Sequence, residues 1–337
     1  MYKFAPDQRV ERIPRRFLAT TETHDAAEHT SHLTGWRVIY KHVGRRPFRG
    51  SISELWLWPM QIMHERLDQP LLYRGTAWKG AIVFVSLFDT RGSVFSGGRE
   101  LAAPGAAAVT AFPWDFADHG SCSAPSDCIL IAVHEEALVA HAEKVLKRAI
   151  PLDQLHRGAS FSDAETTNEF RRCVTSILGE LTRQPSLLDS DAYRVMIQDR
   201  VLNMLVRLTA GSLVDAQGLA PPTTRTYVVQ KATAYMESHL ADRLVFSELC
   251  RAIRVCPRTL RYSFEEVVGV SPTQYLQALR MDQVRRELLG ASTATQVHCI
   301  AERYGFSHMG RFAQGYRRAF GELPSDTRGR AGIKARH

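Results

Sequence analysis

The sequence lacks an apolar run long enough to cross a membrane. Its longest apolar stretches, such as residues 81–87, fall far short of the roughly 20 residues that a membrane-spanning helix needs. The first twenty residues are rich in Arg and Lys and contain no apolar core of the kind found in signal peptides. We therefore expect a cytoplasmic protein that makes no contact with a membrane.

Motifs for metal binding and catalysis are also missing. The three histidines near the start, His24, His29 and His32, do not have the i, i+4 spacing of a helical metal site, and no carboxylate pattern accompanies them. His119 and His134 stand alone among the expected strands, and neither belongs to an HxH pair. The chain has no nucleophile elbow and no phosphate-binding loop. We expect a protein that is not an enzyme and that holds neither a metal nor a cofactor.

Cysteine is sparse and unpaired. None of the six cysteines forms a CxxC motif, so no zinc site of the finger type is expected. Cys122 and Cys128 are the pair that lies nearest in sequence within the β-rich region, and an activated thiol there would be needed for a methyl-accepting repair enzyme. Simple structural cysteines are the other interpretation of the same pair.

The excess positive charge is confined to one region. The chain carries a net charge of +8, and residues 227–337 hold 17 Lys and Arg against 10 Asp and Glu, which leaves +7 there. The other 226 residues hold 26 against 25, which leaves +1. A polyanion is the expected partner of such a region, because Lys and Arg release counterions from phosphates. A solvated basic face is the alternative.

The first two thirds of the chain predict a β-rich part followed by helices. Between residues 36 and 133, short segments with strand-like composition recur about every ten residues, the spacing of a sandwich or barrel. These segments are 52–60, 81–88, 93–95, 106–112 and 128–133. Helices are expected over 135–147, over 162–182, and from Asp189 or Asp191 to Thr209. Two consecutive prolines within 211–226 predict a linker there.

A first helix-turn-helix pattern runs from Glu248 to Phe264. A helix over 227–240 precedes it, and Ser247 is the expected N-cap of the helix that follows. Pro257 opens the next helix, where its missing N–H is tolerated. With the apolar side chains inward, the outer face of this helix presents Arg258, Thr259, Arg261 and Tyr262.

A second pattern runs from Gln296 to Tyr316 and repeats the layout, with Gly305 in its turn. The helix after the turn leaves five residues for the groove of DNA: His308, Met309, Gly310, Arg311 and Gln314. Arg311 has the donors for guanine and Gln314 suits adenine. Phosphate contact or mere solubility is the alternative for each exposed arginine.

The segment between the two patterns is a single expected helix. Ser271 and Pro272 give its N-cap and first position, and residues 272–289 span about 27 Å at ~1.5 Å per residue. One turn of DNA is roughly 34–36 Å. One monomer is therefore expected to place two helices in successive major grooves of double-stranded DNA.

With these patterns, residues 227–330 resemble the DNA-binding domain of the AraC/XylS family of bacterial transcription regulators. The resemblance rests on Glu248-Leu249-Cys250-Arg251, Arg258-Thr259-Leu260, Gly269-Val270-Ser271-Pro272, Ile300-Ala301, Gly305-Phe306, and Phe320-Gly321 followed by Pro324-Ser325. Within the family, His308-Met309-Gly310-Arg311-Phe312, Tyr316-Arg317-Arg318 and Gly321-Glu322-Leu323-Pro324-Ser325 are similar to ethanolamine-operon regulators.

The resemblance implies a fold, partners and base-reading positions. It implies seven helices in the C-terminal domain, with base contacts from Arg258, Arg261 and Tyr262 in the first unit. In the second unit the implied positions are Met309, Gly310, Arg311 and Gln314. Contact with RNA polymerase and homodimerisation through helices between residues 162 and 209 are further implications. For the N-terminal region it implies a cupin-like β-barrel followed by helices, so the chain is expected to be α+β.

Together these features divide the chain. We expect a β-rich sensor over 1–150, a helical connector over 151–210, a linker over 211–226, the DNA-binding domain over 227–330 and a tail over 331–337. Five tryptophans are candidate walls of a ligand pocket in the barrel, although simple core is the other interpretation of each: Trp36, Trp56, Trp58, Trp78 and Trp114.

The two units differ in their turns. Arg254 stands where the first turn usually has glycine, at a penalty of about 1 kcal/mol if the turn is left-handed. Cys256 replaces the usual serine cap, and Tyr262 takes a position often held by arginine. We therefore expect the second unit to carry more of the sequence specificity.

Three functions are consistent with the sequence. The first is a regulator controlled by a small-molecule effector, acting as an activator of a nearby operon. The second is a ligand-independent DNA-binding regulator whose N-terminal domain only dimerises or binds a protein. The third is an enzyme with an appended DNA-binding domain.

Overall fold

The computed structural model describes residues 16–43, 46–90, 92, 94–96, 99–102, 108–115, 120–147, 149–150, 152–211, 217–218, 223–242, 244–290 and 296–334. Its N-terminal part is built mainly from antiparallel strands. These are β1 Arg16–Thr23, β2 Arg37–His42, β3 Gly50–Leu57, β4 Met60–Leu67, β5 Leu71–Thr76, β6 Ala81–Thr90, β7 Val94–Ser96, β8 Arg99–Ala102, β9 Val109–Pro113, β10 Gly120–Cys122, β11 Ser126–His134, β12 Ala159–Phe161 and β13 Gln217–Gly218.

Helices flank the strands and make up the C-terminal part. They are α1 Ala26–Ser31, α2 Glu135–Leu146, α3 Leu152–Arg157, α4 Ala164–Arg183, α5 Asp191–Gly211, α6 Thr224–Ser238, α7 Phe246–Ala252, α8 Pro257–Val267, α9 Pro272–Gly290, α10 Val297–Arg303, α11 Met309–Phe320 and α12 Pro324–Lys334.

The strands form two antiparallel sheets. The larger has the order β1-β3-β4-β11-β6-β9-β12-β13, and the smaller has the order β2-β5-β10-β7-β8. At its centre, the β3–β4 hairpin pairs Leu55 with Ile62 and Trp56 with Gln61. Because neighbouring residues of a strand point to opposite faces, this register sends Leu55 to one side of the sheet and Trp56 to the other.

The larger sheet is buried on both faces. Leu55 and Ile62 pack with Phe170 of α4 and Val201 of α5 in the largest apolar cluster. On the opposite face, Trp56 lies in a second cluster with residues of both sheets. The order of layers is therefore helices, larger sheet and smaller sheet. The mixed α+β prediction is confirmed.

Several strand boundaries differ from the predictions. The segment predicted as one strand over 52–60 ends at Leu57, and β4 begins at Met60. Pro59 lies in the turn between them, where a residue without an N–H removes no ladder bond. No strand was predicted over 61–67, because β4 is buried on both faces and so lacks a clear alternation.

The tryptophans are core residues more than pocket walls. Trp56 and Trp78 are fully buried, and Trp36, Trp58 and Trp114 pack against the same cluster. Gln61 binds two of the indoles, since its Oε1 accepts from Trp36 Nε1 at 2.7 Å and from Trp78 Nε1 at 3.0 Å.

The region between the two parts also differs from expectation. Most of the predicted linker lies outside the described residues, but Gln217–Gly218 pairs with β12 as the last strand of the larger sheet. Helix α6 begins at Thr224, three residues before the predicted domain start, because Thr223 Oγ1 caps the N–H of Thr226. His119, which was expected to stand among the strands, lies outside the described residues.

Candidate nucleic-acid interface

Helices α7 and α8 form the first helix-turn-helix unit. Leu249, Leu260 and Phe264 are buried between them and α9. The expected cap at Ser247 was wrong, since α7 begins at Phe246 and its N-cap Val245 makes no side-chain bond. Helix α8 begins at Pro257 as predicted, with Cys256 as its N-cap.

The turn of the first unit is left-handed at a non-glycine residue. Arg254 has φ of 56°, so the strain expected there is present. Cys256 does cap α8, since its Sγ accepts from the N–H of Thr259 at 3.4 Å. The bond also lowers the pKa of the Cys256 thiol, with the Thr259 hydroxyl as the first contributor. Sulfur is a weak acceptor, so this cap is weaker than a serine cap would be, although the N-cap of α11 in the second unit, His308, makes no side-chain bond.

Helix α9 joins the two units and is capped reciprocally. Ser271 Oγ accepts from the N–H of Gln274 at 3.3 Å, and Gln274 Oε1 accepts from the N–H of Ser271 at 3.0 Å. This is a capping box, and Pro272 occupies the first helical position. The helix has 19 residues, or about 28 Å at ~1.5 Å per residue, so the expected separation of the units holds.

Helices α10 and α11 form the second unit. Gly305 in its turn has φ of 80°, as its sequence position predicts. Ile300, Phe312 and Tyr316 are buried against α9. Tyr316 OH donates to Thr327 Oγ1 at 2.9 Å, which ties α11 to α12.

The residues predicted to meet DNA divide into exposed and half-buried sets. Those exposed are Arg258, Thr259, Arg261, Tyr262, His308, Gly310, Arg311 and Gln314. Met309 is half-buried and packs against the core of the second unit. Its side chain therefore serves α11 packing at least as much as it serves the outer face.

The side-chain contacts on the exposed face of α8 differ from those on the exposed face of α11. On α8, the Arg258 guanidinium lies 5.4 Å from the ring centre of Tyr262, and Arg261 Nε donates to Glu265 Oε1 at 2.8 Å. On α11, Arg311 has no hydrogen-bond or ion-pair partner among residues that the structure describes. Arg311 can thus reach a base edge without first breaking an ion pair, whereas Arg261 must leave Glu265.

The two units are joined through the side chain of Arg280, a role that was not predicted from the sequence. Arg280 of α9 donates from Nε to Leu240 O at 3.1 Å and from Nη2 to Asp242 O at 2.7 Å. Its guanidinium also lies beside Gly305, where an added Cβ would be 3.3 Å from Nη1. Arg280 therefore touches the loop before the first unit and the turn of the second. A basic residue near the apolar stripe of α9 was the available signal.

The smaller sheet packs on the helical domain. Ser121 Oγ donates to the carbonyl of Val267, the last residue of the first recognition helix, at 2.6 Å, and Lys41 forms an ion pair with Glu237 of α6. Val43 and Phe95 from the sheet region belong to the same apolar cluster as Leu260 and Phe264. The outer residues of α8 and α11 named above as exposed remain exposed while the sheet is docked in this way.

A recess lies between the sheet and the first unit. It encloses about 630 Å³, including the part open to solvent. Its floor is apolar and includes Leu72, Phe95, Val229, Val267 and Tyr275. Polar groups, among them Lys41, Arg74 and Glu237, lie at its edge. Such a mixture is usual for sites that bind small molecules.

Two of the candidate thiols and one of the candidate histidines lie in buried surroundings. Burial raises the pKa of Cys122 to about 12 and raises that of Cys128, so neither is an activated nucleophile. His29 is buried against Glu65, and no group of three potential metal ligands gathers among the described residues. In the same part of the chain, no helix combines the length and apolarity needed to span a bilayer.

Comparison with known proteins shows which family model the C-terminal helices match. Residues 249–330 match the family model of a helix-turn-helix domain. The chain is 37% identical over 100 residues to the probable thc operon regulatory protein of Rhodococcus erythropolis, covering 29% of this chain and 30% of that protein. It is 35% identical over 99 residues to the XylDLEGF operon transcriptional activator of Pseudomonas putida, covering 29% and 31%.

A solved structure resembles the same region. The crystal structure of a probable AraC family transcriptional regulator from Rhodopseudomonas palustris is 30% identical, with a TM-score of 0.30, and covers 31% of this chain and 97% of that one. The chain spans less than a third of the length of the two operon regulators. The match to the family model covers residues 249–330, which lie in the helical domain.

Proposed function

We propose that this chain, whose C-terminal region is a helix-turn-helix domain of the AraC/XylS kind, is a transcription regulator that activates a nearby operon in response to a small molecule. One observation carries the proposal: two units on one helix, each with its recognition face exposed. On DNA, α8 and α11 would enter successive major grooves of the duplex. RNA polymerase is the partner expected of an activator, and the cytoplasm is where it would act.

The base-reading residues that we propose are exposed polar side chains. In the first unit they are Arg258, Arg261 and Tyr262, with Thr259 beside the cap. In the second unit they are Arg311 and Gln314, flanked by His308, Met309 and Gly310. A bidentate contact from Arg311 to guanine is worth about 1–3 kcal/mol of discrimination.

For the effector we propose the recess between the smaller sheet and the first unit. Its apolar floor and charged edge fit a small amphipathic molecule. A ligand there would touch both parts of the chain, so it could favour one arrangement of the domains over another. The assignment to the ethanolamine branch stays a prediction, since nothing in the recess identifies the ligand.

A homodimer completes the proposal. Helix α5 exposes Val195 and Met196, each about half exposed, side by side on its first turns. Exposed apolar side chains that form part of a contiguous patch can mark a contact with another protein chain. Association through α5 would place two bipartite domains on a longer operator.

Selection from a random duplex library tests the DNA-binding part. The full chain is expected to enrich a sequence with two half-sites about one helical turn apart, and Arg311→Ala is expected to relax the choice at one base position. Enrichment of no sequence, or equal loss of selected and random DNA in Arg311→Ala, would contradict the proposal.

A second experiment separates ligand control from the ligand-independent alternative. A metabolite library is screened for thermal stabilisation of the full chain, in parallel with Val229→Trp, which fills the recess. A compound that stabilises the wild type and not the variant supports the proposed site. Failure of every compound favours a regulator whose N-terminal part only dimerises or binds a protein.

A further inference from the structure

A run of buried contacts leads from the recess into the interior of the N-terminal part. Tyr73 lines the recess and donates from OH to Phe95 O at 2.8 Å. Its ring lies so close to Gly120 that a Cβ added there would be 2.0 Å from it. On its other side the ring meets Tyr40 edge-on, with 6.4 Å between the centroids. Tyr73 therefore has little room to move without moving Tyr40.

The hydroxyl group of Tyr40 contacts a buried carboxylate. Its OH donates to Glu65 Oε1 at 2.8 Å, and His29 Nε2 lies 3.0 Å from the same oxygen. The His29 ring stacks on Tyr40 and is confined by Gly50, where an added Cβ would be 2.7 Å from Nδ1. Thr23 Oγ1 lies 2.7 Å from that Nδ1. Polar groups held this closely in a low-dielectric interior are costly to separate.

Helix α1 connects His29 to the helical domain. His29 lies on α1 Ala26–Ser31, and Asp25 is the N-cap of that helix. One carboxylate oxygen of Asp25, Oδ1, accepts from the N–H groups of Ala27 and Glu28 at 2.8 and 2.9 Å. The other oxygen, Oδ2, lies 2.6 Å from Arg285 Nη1 on α9. The cap and the domain contact thus share one side chain.

Arg285 continues the run to the end of the second recognition helix. Its guanidinium lies 4.5 Å from the ring centre of Phe320, the last residue of α11, and Nη2 lies 3.5 Å from Glu322 Oε1. Glu322 in turn accepts from Thr327 Oγ1, which accepts from Tyr316 OH. Arg285 and its two carboxylate partners are all largely buried. A shift of Asp25 therefore acts on the packing of α11.

We propose that this run, Tyr73–Tyr40–Glu65–His29–Asp25–Arg285, is a relay that transmits the state of the recess to the second helix-turn-helix unit. The relay deepens the proposed function and rests on it for its biological purpose. The first unit meets the recess directly through α6 and α8, and α9 meets it at Tyr275. The run through α1 is a second route, which reaches the second unit at Arg285. Sequential contacts of this kind transmit a change only if each link depends on the one before it.

Hydrogen exchange of the full chain, without DNA or any small molecule, tests the relay. Glu65→Gln keeps the shape of the side chain and removes its charge. Asp25→Asn keeps an N-cap acceptor and weakens the pair with Arg285. Tyr40→Phe removes one hydroxyl from the run and serves if Glu65→Gln does not fold. Asp127→Asn is the matched control, because it removes a carboxylate that pairs with a histidine on the same sheet, at His64, away from α1.

In Glu65→Gln, amides of residues 26–31 and 309–327 are expected to exchange about fivefold faster, since local opening controls exchange. In Asp25→Asn the change is expected at 309–327, and the double variant should match Asp25→Asn there. Asp127→Asn should leave both segments unchanged. Unchanged exchange at 309–327 in Glu65→Gln, or an increase that adds to that of Asp25→Asn, would overturn the relay. Neither result bears on DNA or effector binding, so the proposed function is tested separately.

Discussion

Arg280 donates to the carbonyl of Asp242 at 2.7 Å and so binds the connecting helix to the loop that precedes the first unit. A second bond from the same guanidinium reaches Leu240 O. Arg280→Met keeps most of the side-chain stem and leaves two carbonyls without this donor. We expect a loss of about 2 kcal/mol in the free energy of unfolding, measured by urea denaturation. Arg286→Met is the control, since Arg286 is exposed and its partner among the described residues is Asp282 one turn away, a contact worth about 0.5 kcal/mol or less. Equal losses in the two variants would refute the role of Arg280.

Substitutions in the turns of the two units are expected to change the free energy of unfolding in opposite directions. Arg254→Gly relieves a left-handed non-glycine residue and is expected to stabilise the helical domain by about 1 kcal/mol. Arg254→Ala keeps a Cβ and is expected to give almost none of that gain. Gly305→Ala is expected to destabilise by at least about 1 kcal/mol, because it adds strain and crowds Arg280. Denaturant titration of the three variants measures the differences. Equal stabilisation by Arg254→Gly and Arg254→Ala would show that loss of the arginine side chain, and not relief of backbone strain, causes the gain.

The two recognition helices are expected to contribute unequally to specificity. Arg311→Ala should reduce affinity for the selected duplex by about tenfold or more while changing affinity for random DNA little, as loss of a base contact does. Arg261→Ala should reduce specificity less than Arg311→Ala does, because Arg261 must leave Glu265 before it can contact a base. Fluorescence anisotropy at fixed salt compares the two. A larger specificity loss for Arg261→Ala would reverse the assignment.

Acid is expected to weaken the packing of the smaller sheet on the helical domain. Burial lowers the pKa of His42 from 6.5 to about 4, and the carboxylates Asp68, Asp25 and Asp282 oppose the shift only in part. Since the unfolded chain binds a proton before the folded one, the stability present above pH 6.5 is lost as the pH falls toward 4. The full loss is about 3 kcal/mol at ~1.4 kcal/mol per pKa unit.

His42→Leu removes that titration, and unfolding measured between pH 4 and 7 should become flatter. His298→Gln, a change at an exposed histidine of α10, should keep the slope of the wild type. If His42→Leu kept the slope as well, another group would have to account for it.

The exposed pair on α5 predicts an assembly. If Val195 and Met196 meet a second copy, Val195→Arg with Met196→Glu should shift the chain to a monomer in analytical ultracentrifugation without changing its circular dichroism. Val145→Arg is the control, since Val145 is similarly exposed on α2. A monomeric wild type, or a double variant that still dimerises, would exclude α5 as the interface.

The helical domain was predictable from sequence because its signals are local. Pro257, Ser271, Pro272 and Gly305 fix helix ends within one or two residues, and each acts through its own backbone or its neighbours. The strands β4 and β5 were missed because residues buried on both faces of a sheet lose their alternation. The contacts of Lys41 with Glu237 and of Asp25 with Arg285 were beyond prediction, since they join residues about 200 and 260 positions apart.

The smaller sheet rests behind α8, where Ser121 holds Val267, and leaves the groove-facing side of both recognition helices clear. Control by masking is therefore not available to this molecule in the arrangement described. If the proposed effector site is correct, we expect the protein to stay bound to its operator with or without the effector, and the effector to change what the bound protein does there. Such a regulator would respond to its effector without first having to find its operator. Domain motion, and not diffusion to the DNA, would then set the rate of the response.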